Sequence, residues 1–174
     1  PIGQGSFGEV YKAERREYDV VSRAAIKVIQ IPQNEAVIDS LRAEGLSQGA
    51  TKEYLHEIVR DFVQEIQLME SLKAVQNIVS VEDYKVVENK DTIGWTIYIR
   101  MELLQPFKDY SCSHRMTEDE VIRLGVDLCT ALELCEKRNI IHRDIKPENI
   151  FVNDFGNFKL GDFGIARKLE NMTG

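Results

Sequence analysis

The sequence predicts an α+β fold in two lobes: an antiparallel β-sheet small lobe with one long helix, then the first part of a mainly helical large lobe. Three observations predict it. Short alternating apolar runs dominate the first hundred residues, and a single long helical stripe lies among them. After Leu103-Leu104-Gln105-Pro106 the period becomes helical. A short apolar hairpin follows near the end of the 174 residues. Residues 1–104 are therefore expected to form the small lobe, with an insertion at 33–50, and residues 105–174 the start of the large one.

Each element has its own signal. Residues 9–13 and 22–31 read as strands around a polar turn at Arg15 to Asp19, and Pro32-Gln33-Asn34 ends that region. Residues 35–44 predict a short helix with Val37, Ile38 and Leu41 on one side, Gly45 as its C-cap and a flexible connector to Ala50. From Thr51 to about Lys73, the residues Leu55, Ile58, Val59, Phe62, Ile66 and Met69 form one helical stripe. Residues 81–87 and 95–101 read as antiparallel strands; Ile97, Ile99 and Met101 alternate with Thr96, Tyr98 and Arg100. Thr117-Glu118-Asp119-Glu120 is a capping-box signature before a helix carrying Val121, Leu124, Leu128, Leu132 and Cys135. That helix ends on Lys137-Arg138-Asn139, cations where the helix dipole favours them. The closing hairpin pairs 150–152 with 158–160.

Composition excludes several functions. Lys+Arg 22 against Asp+Glu 29 leaves a net charge of −7, without the basic footprint of a nucleic-acid or anionic-membrane binder. No apolar run reaches the ~18 residues of a membrane span. Three cysteines (Cys112, Cys129 and Cys135) are too few and too unevenly spaced for a disulfide framework or a zinc site, so a reducing, cytoplasmic setting is expected. The chain opens inside a glycine-rich turn without Met and stops with no terminating element, so it reads as cut at both ends; a membrane tether outside it stays open.

Chemistry concentrates in a few segments. Gly3-Gln4-Gly5-Ser6-Phe7-Gly8 spaces glycines so that backbone N–H groups can approach phosphate oxygens; an ordinary tight hairpin is the alternative. The strand that follows Gly8 argues against a dinucleotide fold, and Glu9-Val10 against a Walker loop. Lys27 sits inside the apolar run Ala25-Ile26-Lys27; it either snorkels from an edge or pairs with Glu65, an acid beside the buried stripe of the long helix. The densest cluster is His142-Arg143-Asp144-Ile145-Lys146-Pro147-Glu148-Asn149, followed by Asp162-Phe163-Gly164. A second Asp-Phe-Gly, at 154–156, lies in the polar tip of the hairpin and is assigned to turn chemistry.

With its Gly-rich loop, strand lysine, helix glutamate, H-R-D-x-x-x-x-N and D-F-G in one order, the sequence resembles the eukaryotic-type (Hanks-type) Ser/Thr protein kinases, truncated just after D-F-G. The resemblance implies a bilobal protein-kinase-like fold with ATP and Mg²⁺ (or Mn²⁺) as cofactors and a Ser/Thr-bearing protein as substrate. It implies that Gly3, Gly5 and Gly8 cover the phosphates, that Lys27 holds them and Glu65 orients Lys27, and that Asp144 is the base beside Lys146. Asn149 and Asp162 become the metal ligands. Val10, Ala25, Met101, Glu102, Leu103, Leu104 and Phe151 become the adenine site, though plain core packing explains each nearly as well. His142 is expected to be structural, near Phe163; Arg143 resembles a phosphate-pairing arginine, and Thr173 is a candidate acceptor.

Two departures stand out. Between Lys27 and Glu65 lie 37 residues, longer than is usual for the family. The 33–50 insertion reads first as a surface helix packed on the small lobe, and second as a regulatory or dimer contact. The remainder of the activation segment is missing from the sequence. The acidic, insertion-bearing form is more similar to bacterial members than to animal ones. A nucleotide-binding pseudokinase scaffold and a small-molecule kinase of related fold are the competing readings; intact Lys27, Glu65, Asp144, Asn149 and Asp162 argue against the first, Lys146 and the H-R-D form against the second.

Overall fold

The computed structural model describes residues 1–5, 8–113 and 115–162. The first half contains the antiparallel sheet β1 (Gly3–Gly5), β2 (Gly8–Glu17), β3 (Val20–Ile31), β4 (Val81–Glu88) and β5 (Trp95–Met101), in the order β1-β2-β3-β5-β4. Two helices lie between β3 and β4: α1 (Glu35–Ala43) and α2 (Gln48–Ser71). The second half holds β6 (Gln105–Pro106), α3 (Phe107–Ser113), α4 (Glu118–Lys137), a 3-10 turn at Pro147–Asn149, β7 (Ile150–Val152) and β8 (Phe158–Leu160). Strands β6-β7-β8 make a second, three-stranded sheet. The antiparallel sheet and the helices after it are those of the expected fold class.

The chain divides into two compact units. The first is Pro1–Glu70 with Val81–Met101. Its core joins Ile29, Ile31, Ile97 and Ile99 of the sheet with Leu55, Phe62, Ile66 and Met69 of α2, all at most 4% exposed. These helix residues belong to the expected stripe. The helix starts three residues earlier than its apolar period, because Ser47 Oγ accepts the Ala50 N–H at 3.2 Å and caps it. In the insertion, α1 buries Ile38 and half-buries Val37 and Leu41, as a packed surface helix requires.

The second unit is Ser71–Ser80 with the chain from Glu102 onward. Hydrogen bonds show what holds residues 71–80 in this unit. Leu160 N donates to Asn77 O and Val79 N to Leu160 O, both at 2.9 Å, so the segment adds to the edge of β8. Arg138 Nη1 holds Ser71 O at 3.1 Å. Phe158 is fully buried, with the rings of Phe107 and Tyr110 edge-on to it at 5.9 and 6.0 Å.

Two expectations are corrected. The polar stretch Arg15 to Glu17 is strand, because Arg23 Nε bonds Glu14 Oε1 at 3.0 Å across β2 and β3 and only Tyr18-Asp19 turn. Tyr18 takes a left-handed φ of 51° there. In α4 the capping box forms as expected, Thr117 Oγ1 accepting the Glu120 N–H and Glu120 Oε2 the Thr117 N–H. Its stripe is buried deepest at Ala131 and Cys135, however, while Val121 is 54% exposed. The helix packs on β8 from its middle onward, where Asp127 Oδ2 takes the Phe158 N–H at 2.8 Å.

Candidate active site

In the first unit, β1 and β2 pair with Gly5 opposite Gly8 and Gly3 opposite Val10. The tip between them, Ser6 and Phe7, lies outside the described residues. Gly8 admits no side chain, since a Cβ there would sit 1.9 Å from Val28 O. Close strand approach, rather than a left-handed φ, therefore demands this glycine. Lys27 is 6% exposed in the middle of β3, between Val10 and Ile99. That position removes the edge-lysine reading: a charge held so far from water calls for a partner. Glu65 is half-buried on α2 between Phe62 and Met69. Ala25 is buried and lies opposite the half-buried Met101.

In the second unit, Asp144, Lys146 and Asn149 come together. Asp144 Oδ2 lies 2.8 Å from Lys146 Nζ and accepts from Asn149 Nδ2 at 2.9 Å. The same Nδ2 donates to Asp144 O at 2.8 Å. The Pro147–Asn149 turn makes this possible, with Asn149 N donating to Lys146 O and doubling the chain back. The Asp144 carboxyl is held below its ordinary value, chiefly by the hydrogen bond from Lys146, while Lys146 is raised by the same bond. Asn149 is 4% exposed and spends its amide N on Asp144, which leaves Oδ1 as a hard oxygen donor.

The β7–β8 register puts Ile150 opposite Leu160, so Asn149 faces Gly161 and the next residue is Asp162. Gly161 N donates to Asn149 O at 2.8 Å. Asp162 follows with a left-handed φ of 55°, and Arg143 carries another at 66°. Such backbone concentrates where a site over-determines the chain. Asp154 instead sits in the hairpin tip, where Asn153 Oδ1 accepts the Phe155 and Asn157 N–H groups; this second Asp-Phe-Gly is a turn. Glu102, Leu103, Leu104 and Phe151 are half-buried. Phe163, Gly164 and Thr173 lie outside the described residues.

His142 ties the two strands of this constellation. It is 2% exposed, its Nδ1 accepts the Asp144 N–H at 3.3 Å, and Nε2 lies 2.9 Å from Gly161 O. Both bonds are satisfied by the neutral ring protonated at Nε2. Burial pushes its pKa below 6.5. The unfolded chain therefore binds a proton that the folded one refuses, and stability should fall as the pH drops below about 6.5. Melting temperature followed from pH 7.5 to 5.5 should decline, and His142→Gln should flatten that slope. An unchanged slope in the variant would place the titration elsewhere.

Sequence reasoning missed the buried ion pair of Lys159 with Glu102. Lys159, 9% exposed, puts Nζ 2.7 Å from Glu102 Oε1, which also accepts the Ser80 N–H at 2.7 Å. A lysine in an apolar hairpin was a signal for a buried acid, but nothing in the spacing pointed to residue 102. With its side chain so engaged, Glu102 would meet a ligand through its backbone.

Among the described residues no group of three or more His, Cys, Asp or Glu could hold a metal by itself. One amide oxygen and one carboxylate, completed by phosphate oxygens and water, is the donor set that suits Mg²⁺.

The family model described as protein kinase domain matches residues 1–174. Cyclin-dependent kinase 1 of Encephalitozoon cuniculi (strain GB-M1) is 32% identical over 167 residues, covering 95% of this chain and 48% of the relative. Serine/threonine-protein kinase 36 of Pongo abelii is 30% identical over 99% of this chain and 11% of its own length. Serine/threonine-protein kinase TIO of Arabidopsis thaliana is 32% identical, with the same two coverages. The chain thus spans less than half the length of each of these relatives. Among solved structures, the crystal structure of Rad53 1–466 in complex with AMP-PNP shares the fold, with a TM-score of 0.65, 23% identity, and 96% of this chain and 37% of that one covered.

Proposed function

The chain belongs to the protein kinase domain family, and on that premise we propose that it carries the machinery of an ATP-dependent serine/threonine kinase, moving the γ-phosphate of ATP to a Ser or Thr hydroxyl of a protein. The observation that supports this best is the double engagement of Asp144 Oδ2 by Lys146 and Asn149. It locks the carboxylate and leaves Oδ1 to accept the hydroxyl proton. The hydroxyl oxygen attacks the γ-phosphorus, the bond to the β-phosphate bridging oxygen breaks, and the proton passes to Asp144.

A carboxyl held below its ordinary value is a weak base, but a loose transition state asks little of it. The hydroxyl loses its proton only as the new P–O bond forms, so Asp144 mainly aims the oxygen. Lys146 offers its charge to the transferring group. Asn149 Oδ1 and Asp162 would hold Mg²⁺ (or Mn²⁺), which when bound neutralises phosphate charge. In this reading residues 1–104 serve as the nucleotide-covering lobe, with Gly3, Gly5 and Gly8 over the phosphates and Lys27 oriented by Glu65. Val10, Ala25, Met101, the backbone of Glu102 to Leu104, and Phe151 line the adenine. No helix among the described residues is long and apolar enough to cross a membrane. The three cysteines are unpaired, which suits a cytoplasmic setting.

The test is transfer of labelled γ-phosphate by the full-length protein, onto itself and onto a generic protein substrate. Label on Ser or Thr is expected. Nucleotide binding without transfer would replace this reading by that of a scaffold, and transfer confined to small molecules by that of a metabolite kinase.

A further inference from the structure

Gly161 is a glycine for want of space. Its φ is not left-handed, so its backbone conformation would suit any residue. A Cβ there would nevertheless lie 2.9 Å from Phe151 Cε2 and 3.3 Å from Cδ2, and 2.8 Å from Val79 Cγ2. The backbone cannot retreat to make room, because its N–H is bonded to Asn149 O at 2.8 Å and its carbonyl to His142 Nε2 at 2.9 Å. His142 and Asn149 are themselves 2% and 4% exposed. Any added methyl must therefore be absorbed by the Phe151 ring or by Val79, itself 6% exposed and branched at Cβ.

We propose that Gly161 and Phe151 are a size-matched pair: the missing side chain at 161 lets an aromatic ring lie at 151, and that ring is the platform for a purine base. The inference rests on the nucleotide-binding reading above and names what shapes the base end of that site. A flat ring offers a purine a stacking face that an aliphatic side chain does not, and ring pairs gain energy beyond their buried area. Gly161 is then a positioning residue, acting on the base through Phe151 rather than by touching it.

The experiment measures binding of adenosine, and separately of Mg²⁺·AMP-PNP, to the full-length protein by calorimetry. Gly161→Ala should weaken both by the same factor, about tenfold, as an overpacked ring is pushed from its place. Adding Val79→Ala should not repair it, whereas Gly161→Ala with Val79→Ala and Phe151→Leu should bind adenosine as tightly as the Val79→Ala, Phe151→Leu protein does. If Gly161→Ala does not fold, that last comparison decides alone: equal affinities support the pair, and a tenfold deficit in the triple variant overturns it. Undiminished adenosine binding by a folded Gly161→Ala protein would also overturn it, including when only the Mg²⁺-loaded analogue suffers, because the effect would then run through Asp162. A parent protein that binds neither ligand would remove the nucleotide reading and the pair with it, whereas parent binding with strictly additive variants removes the pair alone.

Discussion

Asp144→Asn should slow phosphoryl transfer on the order of 10³-fold while nucleotide affinity stays within about twofold of the parent. The amide is isosteric, so its oxygen can still accept from Asn149 Nδ2, now at 2.9 Å from the carboxylate. Its NH₂ must then occupy the place of Oδ1, offering the substrate hydroxyl a donor where an acceptor is needed. The ion pair with Lys146 is lost as well, and that cation no longer has a fixed position. Folding should survive. Asp144 and Lys146 side chains are 38% and 44% exposed, so solvent screens most of what their pairing contributes. The stability Asp144 does contribute is present above the ordinary carboxylate pKa and vanishes as pH falls through its lowered folded value, well outside the neutral range. Steady-state rates beside AMP-PNP titrations of both proteins check this, and equal rates would reject Asp144 as the residue that receives the proton.

Much of this arrangement was legible because it is written in local patterns. The stripe Leu55 to Met69 and the alternation of Ile97 and Ile99 follow from periods of 3.6 and 2, and both are buried as those periods require. The capping box at Thr117 needs only residues three apart. The outer half of the β2–β3 hairpin was not legible, since both its faces are exposed and carry no alternation. The small elements β6 and α3 were missed for the same reason, α3 burying none of its residues. Long-range pairing lay further out of reach. That residues 71–80 join the second unit depends on Leu160, more than 80 positions away, and the crowding around Gly161 depends on Val79 and Phe151 together. Motif spacing located Asp144, Asn149 and Asp162 in sequence. It could not show that Asn149 braces Asp144 with its amide nitrogen, or that His142 fixes Gly161 between them.

That bracing gives the two expected metal ligands different signatures when each is removed. Asn149→Ala takes away an oxygen donor, and it also strips the Asp144 carbonyl and Oδ2 of the donor held at 2.8 and 2.9 Å. Asn149 is 4% exposed, so water does not freely replace it, and a loss of about 2 kcal/mol of stability is expected for partners left unsatisfied. Asp162→Asn should leave the fold intact, because asparagine tolerates the left-handed backbone that position adopts. It removes one negative charge and keeps an oxygen. Both variants should lose transfer on the order of 10²-fold or more, the scale of charge stabilisation that a bound cation supplies. Only Asp162→Asn should do so at unchanged melting temperature and with a raised Mg²⁺ requirement that higher Mg²⁺ partly rescues. Equal thermal losses in the two proteins, or an Asp162→Asn rate indifferent to Mg²⁺, would mean that the hairpin serves the loop's geometry and the cation is held elsewhere.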